Sequence, residues 1–71
     1  MQIEIEFRPE KGSIQTLYAD LPGKEIEEVE AAIAGRDAHD TILQIPSRTK
    51  RNGPTHRWTF RADRIKIRRV R

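Results

Sequence analysis

Seven basic side chains in the last third of the chain have the types and spacing that could carry chemistry. An arginine guanidinium binds phosphate oxygens through a planar fork of donors, and a lysine ammonium binds them as a point charge. Residues 47–71 hold ten basic groups against a single acidic one, so their charge is 10 − 1 = +9. The side chains that we expect to contact DNA or RNA phosphates are Arg48, Lys50, Arg51, Arg57, Arg61, Lys66 and Arg68. Such binding would weaken steeply with salt, because it releases counterions.

The rest of the chain carries the opposite charge. Residues 1–46 hold four basic and ten acidic side chains, so their charge is 4 − 10 = −6. Glu25 and Glu28 give a predicted helix an acidic outer side that could dock a protein. Glu4 and Glu6 alternate along the first predicted strand. If that strand neighbours the basic strands, its carboxylates neutralise the positive surface.

Two functions therefore remain open, and the position of Glu4 and Glu6 distinguishes them. Carboxylates far from the basic strands favour a nucleic-acid-binding module. Carboxylates close to them favour a protein–protein interaction module instead. We expect the second type to be an adaptor, inhibitor or assembly factor of the kind that phages or mobile elements encode. With unpaired strand edges in so small a domain, it could also form a homo-oligomer.

No combination of residues indicates an enzyme, a cofactor or a metal site. Asp37, His39 and Asp40 cluster three potential ligands, but structural zinc sites usually take four nitrogen or sulfur ligands, and the chain has no cysteine. There is no glycine-rich phosphate loop of the Walker type. A chain of 71 residues also leaves little room for a deep catalytic pocket. We therefore expect a non-enzymatic protein.

Composition indicates one small domain, residues 1–71, in the cytoplasm. The absence of cysteine agrees with a reducing compartment. No apolar stretch is long enough to cross a membrane, so we expect no membrane partner. Hydrophobic residues make up 35% of the chain and charged residues another 35%, yet the apolar positions are strongly patterned, which is typical of a folded domain.

The first half of the chain predicts two strands and a helix. Apolar and polar residues alternate over residues 1–7 and again over Ser13–Ala19, which is the period of a half-buried strand. The period then changes to that of a helix over residues 22–34. We expect Gly35 to end this helix in a left-handed conformation.

The second half predicts three more strands. Residues 40–47 have apolar side chains on both faces, so we expect this strand to be central and covered on both sides. Residues 48–54 form a hairpin loop. In the fourth strand, residues 55–61, Trp58 and Phe60 face the core. The fifth strand covers residues 65–70 and has a bulge or an end near Arg69.

The predicted fold class is α+β, with the order β-β-α-β-β-β. We expect an antiparallel sheet with one helix packed on one face. The alternative is a small SH3-like barrel with an inserted helix. In either case, we expect the fourth and fifth strands to form a C-terminal β-hairpin whose basic side chains point outward together.

Overall fold

The computed structural model describes residues 1–70 and confirms the α+β class and the predicted order of elements. Five strands, one α-helix and two short 3-10 helices are present in this part of the chain. The strands are β1 (Gln2–Phe7), β2 (Gln15–Asp20), β3 (Ile42–Ser47), β4 (His56–Arg61) and β5 (Ile65–Val70). The helix α1 spans Gly23–Ala34, and the 3-10 helices span Ala38–Asp40 and Ala62–Arg64.

Strand β1 lies at the centre of a three-stranded antiparallel sheet, between β2 and β5. Apolar and polar residues alternate along β1. Successive side chains of a strand point to opposite faces, so the apolar side chains of β1 share one face of the sheet. Ile5 lies opposite Leu17 of β2 and Ile67 of β5, and all three face the core. The residues of the other parity, among them Glu4, Glu6, Lys66 and Arg68, therefore share the opposite face.

Strands β3 and β4 form a separate two-stranded antiparallel sheet. A single bridge joins the two sheets, where Tyr18 and Arg48 exchange backbone N–H···O hydrogen bonds of 2.8 and 2.7 Å. Continued in this register, the ladder would next place Asp20 opposite Pro46, which has no N–H to donate. The pairing of β2 with β3 is accordingly limited to this bridge.

The prediction that the third strand is covered on both sides is wrong. Ile42 is 58% exposed, and burial alternates along β3. Its apolar residues on the outer parity, Ile42 and Pro46, lie on a face of the two-stranded sheet that nothing in residues 1–70 covers. An apolar side chain on both parities is therefore no proof of two-sided burial.

The predicted C-terminal hairpin is also wrong. Strand β4 pairs with β3, and β5 pairs with β1, so the two strands lie in different sheets. The 3-10 helix Ala62–Arg64 separates them, and its Ala62 is fully buried. The antiparallel strands are thus divided between two sheets, with one helix packed against the core.

Helix α1 packs its one apolar stripe against the core. Ile26 and Val29 are buried, and Ile33 packs against the same cluster. Pro22 precedes the first turn, where a missing N–H costs no hydrogen bond. Gly35 follows the helix in an extended conformation (φ −74°, ψ 159°), so the predicted left-handed ending is wrong. The helix does not qualify as a membrane span, and no other helix among residues 1–70 does.

The core is formed by both sheets and the helix together. Phe60 is 1% exposed, and its ring lies 5.4 Å from that of Phe7 and 6.2 Å from that of Trp58. Trp58 is only partly buried, but it packs against the core as predicted. Strand β5 has no bulge, since its register with β1 is unbroken to Val70. Arg69 consequently shares the face of Ile67, and its guanidinium reaches Glu30 of α1 at 2.9 Å.

Candidate functional site

The outer side of the three-stranded sheet is a polar surface to which all three strands contribute. Side chains that lie opposite one another in adjacent antiparallel strands share a face, so the register defines its members. We call this surface the sheet face, and its central residues are Glu4, Glu6, Thr16, Tyr18, Lys66 and Arg68. Two of the seven basic residues predicted to bind phosphate, Lys66 and Arg68, therefore lie beside the two carboxylates of β1.

The first of these carboxylates, Glu4, contacts basic groups of the sheet face and of the hairpin loop. Glu4 lies opposite Arg68, and their charged atoms are 2.6 Å apart. The second oxygen of Glu4 is 3.7 Å from Arg51 of the hairpin loop. Only 19% of the Glu4 side chain is exposed, which strengthens its effect on both guanidinium groups.

The second carboxylate lies one row further along the sheet. Glu6 is directly opposite Lys66 in the register, and its Oε2 atom is 3.6 Å from Arg8. The sheet face thus carries both signs of charge in close alternation. The uncompensated cationic face that phosphate binding requires is not present on this sheet.

A shallow groove crosses the sheet face. Its volume is about 460 Å³, and it is lined by Glu4, Glu6, Thr16, Lys66, Ile67 and Arg68. Ile67, whose side chain faces the core, is the only apolar residue in this lining. A surface of this kind offers hydrogen bonds and charges of both signs to a ligand, without the enclosed space of a catalytic pocket.

Arg61 lies at the far end of β4, in an ion-pair cluster of its own. Its Nε and Nη2 atoms donate to the two carboxylate oxygens of Asp63 at 2.6 and 3.2 Å. Glu10 lies 3.9 Å from Arg61 and 3.4 Å from Arg64. The hydrogen bond from Arg61 lowers the pKa of Asp63 below its ordinary value and raises the pKa of Arg61. Arg61 is thus neutralised by its own neighbours.

The lowered pKa of Asp63 predicts a loss of stability in acid. Its unfolded-state pKa is about 4, so the stabilisation is complete above that pH and is lost as the pH falls through the lower folded-state value. Urea unfolding of Asp63→Asn should show lower stability at pH 7 and a flatter pH dependence below about 4. Asp37→Asn is the matched control, because the Asp37 side chain makes no ion pair among residues 1–70. An unchanged acid profile in Asp63→Asn would contradict the assignment.

The hairpin loop between β3 and β4 brings together three of the predicted residues. Arg48 is held by its backbone bridge to Tyr18, and the Arg51 guanidinium lies 5.6 Å from the centre of the Tyr18 ring. Lys50 and Arg51 are exposed. Tyr18, which is partly buried, thus anchors the loop to the sheet face. That role has no sequence signal, because it depends on the bridge between the sheets.

Arg57 lies apart from the loop and from the sheet face. It is exposed on the outer side of the two-stranded sheet, opposite Pro46. Within residues 1–70, no carboxylate lies within 4.0 Å of Arg48, Lys50, Arg57 or Lys66. The seven predicted residues therefore divide among the loop, two different sheets and the Asp63 cluster, and do not form one continuous band.

The two predicted docking residues of the helix line a second groove. Glu25 and Glu28 are exposed and form one wall of a cleft of about 290 Å³ beside β3. Apolar side chains of Leu21, Val29 and Leu43 contribute to the same cleft. In the part of the chain that the structure describes, neither glutamate has a basic group within 4.0 Å.

The chemistry of a metal centre is not assembled in the described residues. No group of three or more His, Asp or Glu side chains within residues 1–70 is placed to hold a metal ion. His39 contacts Asp40 at 3.2 Å, and both side chains are largely exposed.

Comparison with known proteins gives no match: no protein-family model fits the chain, and no curated protein or solved structure is significantly similar to it.

Proposed function

We propose that this protein is a small non-enzymatic module that binds a protein partner through its sheet face. The observation that carries the proposal is the 2.6 Å pair between Glu4 and Arg68, with Glu6 directly opposite Lys66 in the next row. The position of Glu4 and Glu6 relative to the basic strands distinguishes the two functions that the sequence leaves open. Carboxylates that lie close to the basic strands favour a protein–protein interaction module over a nucleic-acid-binding one.

The electrostatics of the sheet face explain the preference. A nucleic-acid backbone brings a row of negative charges, and it would meet Glu4 and Glu6 as well as Lys66 and Arg68. Like charges brought together at an interface cost several kcal/mol, which is how such surfaces exclude wrong partners. A protein surface can instead place an acid against Lys66 and a base against Glu6. Alternating charges therefore suit a partner that itself carries both signs.

A second candidate function rests on a smaller site. Arg48, Lys50 and Arg57 have no carboxylate within 4.0 Å among residues 1–70, and they lie on or next to the β3–β4 hairpin. Phosphate binding confined to this hairpin would involve about three contacts, with a correspondingly shallow salt dependence. We propose a cytoplasmic setting for either function, which the absence of cysteine supports.

Two charge reversals test the proposal. Lys66→Glu alters the sheet face, and Lys24→Glu makes the same change of net charge on the exposed start of α1. The tagged protein is used to capture partners from nuclease-treated lysate of its source cells. We expect Lys66→Glu to reduce the amount of a stoichiometric protein partner at least tenfold, about 1.4 kcal/mol, and Lys24→Glu to leave it unchanged.

Two results would contradict the proposal. One is capture that occurs only when the nuclease is omitted, which would make a nucleic acid the ligand. The other is an equal loss of the protein partner in both variants, which would make net charge, rather than the sheet face, the determinant of binding. Sedimentation of the purified chain shows separately whether the partner is a second copy of itself.

A further inference from the structure

A cleft beneath the hairpin loop has the features of a binding site for a single anionic group. It lies where the loop returns over the edge of the sheet face and has a volume of about 190 Å³. Polar side chains supply most of its lining. The residues around it are Gln2, Ile3, Glu4, Tyr18, Arg48, Arg51, Asn52 and Val70.

Arg48 lines this cleft and has no ion-pair partner within 4.0 Å among the described residues, although its charge, after that of the Met1 ammonium, lowers the pKa of Asp20. Its backbone is fixed in both directions by Tyr18, at 2.8 and 2.7 Å, so the base of the side chain is held in place. Its Nε atom is buried and donates no hydrogen bond to any described residue. A buried donor without an acceptor is costly, and the cost is greater for a charged group. The Nη atoms of Arg48 likewise make no hydrogen bond to a described residue, and a bound anion in the cleft would supply an acceptor for them.

Arg51 and Asn52 complete the donor set. The position of Arg51 is restrained by the Tyr18 ring at 5.6 Å and by Glu4 at 3.7 Å. The side-chain amide of Asn52 can donate from the same wall. Two guanidinium groups at one small cleft match the two oxygens of a carboxylate, which arginine binds bidentately.

Glu4 determines which anion the cleft accepts. With Arg48 and Arg51 against Glu4, the three charged groups sum to 2 − 1 = +1, which one carboxylate neutralises. A phosphodiester strand carries further phosphates on both sides, and on one side they would meet Glu4 and Glu6 of the sheet face. The cleft also shares Glu4 with the groove of the sheet face, so a single partner could cover both.

We infer that this cleft binds a carboxylate of the protein partner, either an acidic side chain or the carboxyl group of a chain terminus. The inference rests on the proposed function, because the carboxylate belongs to the protein that covers the sheet face. Arg48 is the principal donor, and Arg51 and Asn52 orient the bound group.

Side-chain NMR of the arginine Nε–H groups, recorded on the full chain, tests this inference with three probes. The first probe is a short peptide with both termini blocked and one glutamate. The second is a peptide with a blocked amino terminus, uncharged side chains and a free carboxyl terminus. The third is a short oligothymidylate. We expect the Arg48 and Arg51 resonances to shift with at least one of the two peptides. Which peptide acts identifies the source of the carboxylate.

Arg48→Gln should weaken binding of the peptide that shifts these resonances at least tenfold. The affinity is measured from the Arg51 resonance. Arg36→Gln is the matched control, because it removes one positive charge from an exposed position outside the cleft and outside the β3–β4 hairpin, and should leave binding unchanged. If neither peptide shifts these resonances, the carboxylate site is overturned, while the capture experiment with Lys66→Glu can still support a protein partner. If oligothymidylate shifts them more strongly than both peptides, the site and the proposed function fail together.

Discussion

Replacing Phe60 with alanine should remove a large fraction of the protein's free energy of unfolding. The ring is 1% exposed and lies against Phe7 and Trp58, so truncation removes contacts to both sheets. A buried Phe→Ala change costs about 3–5 kcal/mol. A domain of 71 residues has a free energy of unfolding of roughly 4–10 kcal/mol, so this one substitution removes a large fraction of the total.

Urea unfolding measured by circular dichroism checks the prediction. The matched control is Ile42→Ala, which truncates a large apolar side chain of the neighbouring strand β3 that is 58% exposed. We expect that variant to remain within about 0.5 kcal/mol of the parent. If the two variants were equally stable, the placement of Phe60 at the junction of the sheets would be wrong.

The second large effect is expected from Ile26→Ala in helix α1. Ile26 is completely buried in the core cluster, and with Val29 it fixes the helix to the sheets. Truncation of a buried isoleucine to alanine costs about 2–5 kcal/mol, and alanine is itself a good helix former. The loss therefore measures packing of the helix and not its intrinsic propensity.

Thermal unfolding of Ile26→Ala should show a midpoint lowered by roughly 10 °C or more, at about 4–8 °C per kcal/mol for a domain of this size. Glu27→Ala is the control on the exposed side of the same helix, and its midpoint should stay close to that of the parent. A similar midpoint for both variants would mean that the helix does not contribute to the core.

The local elements were predictable from the sequence because each depends on neighbouring residues. The alternation of Ile3, Ile5 and Phe7 and the stripe of Ile26, Val29 and Ile33 were enough to indicate β1 and α1. The partners of the strands were not predictable in the same way. Adjacent strands in the sequence usually pair, which is why β4 and β5 were expected to form a hairpin.

The observed strand pairing gives a candidate site different from the one that the sequence predicts. Because β5 pairs with β1, it places Arg68 opposite Glu4, a residue 64 positions away in the chain. No local pattern encodes a contact of that sequence separation. The alternating acidic residues of β1 and the alternating basic residues of β5 were each visible in the sequence. Only the register shows that they lie on the same face of the sheet.

We propose that Glu4 and Glu6 prevent the sheet face from binding a phosphate backbone. The measurement that tests it is the salt dependence of oligonucleotide binding for the parent chain and for the isosteric double variant Glu4→Gln/Glu6→Gln. We predict no measurable binding by the sheet face in the parent at 0.15 M salt, and a gain of binding with a steep salt slope in the variant, because counterion release then becomes available. Equal affinity and equal salt slope in the two proteins would contradict this role of Glu4 and Glu6.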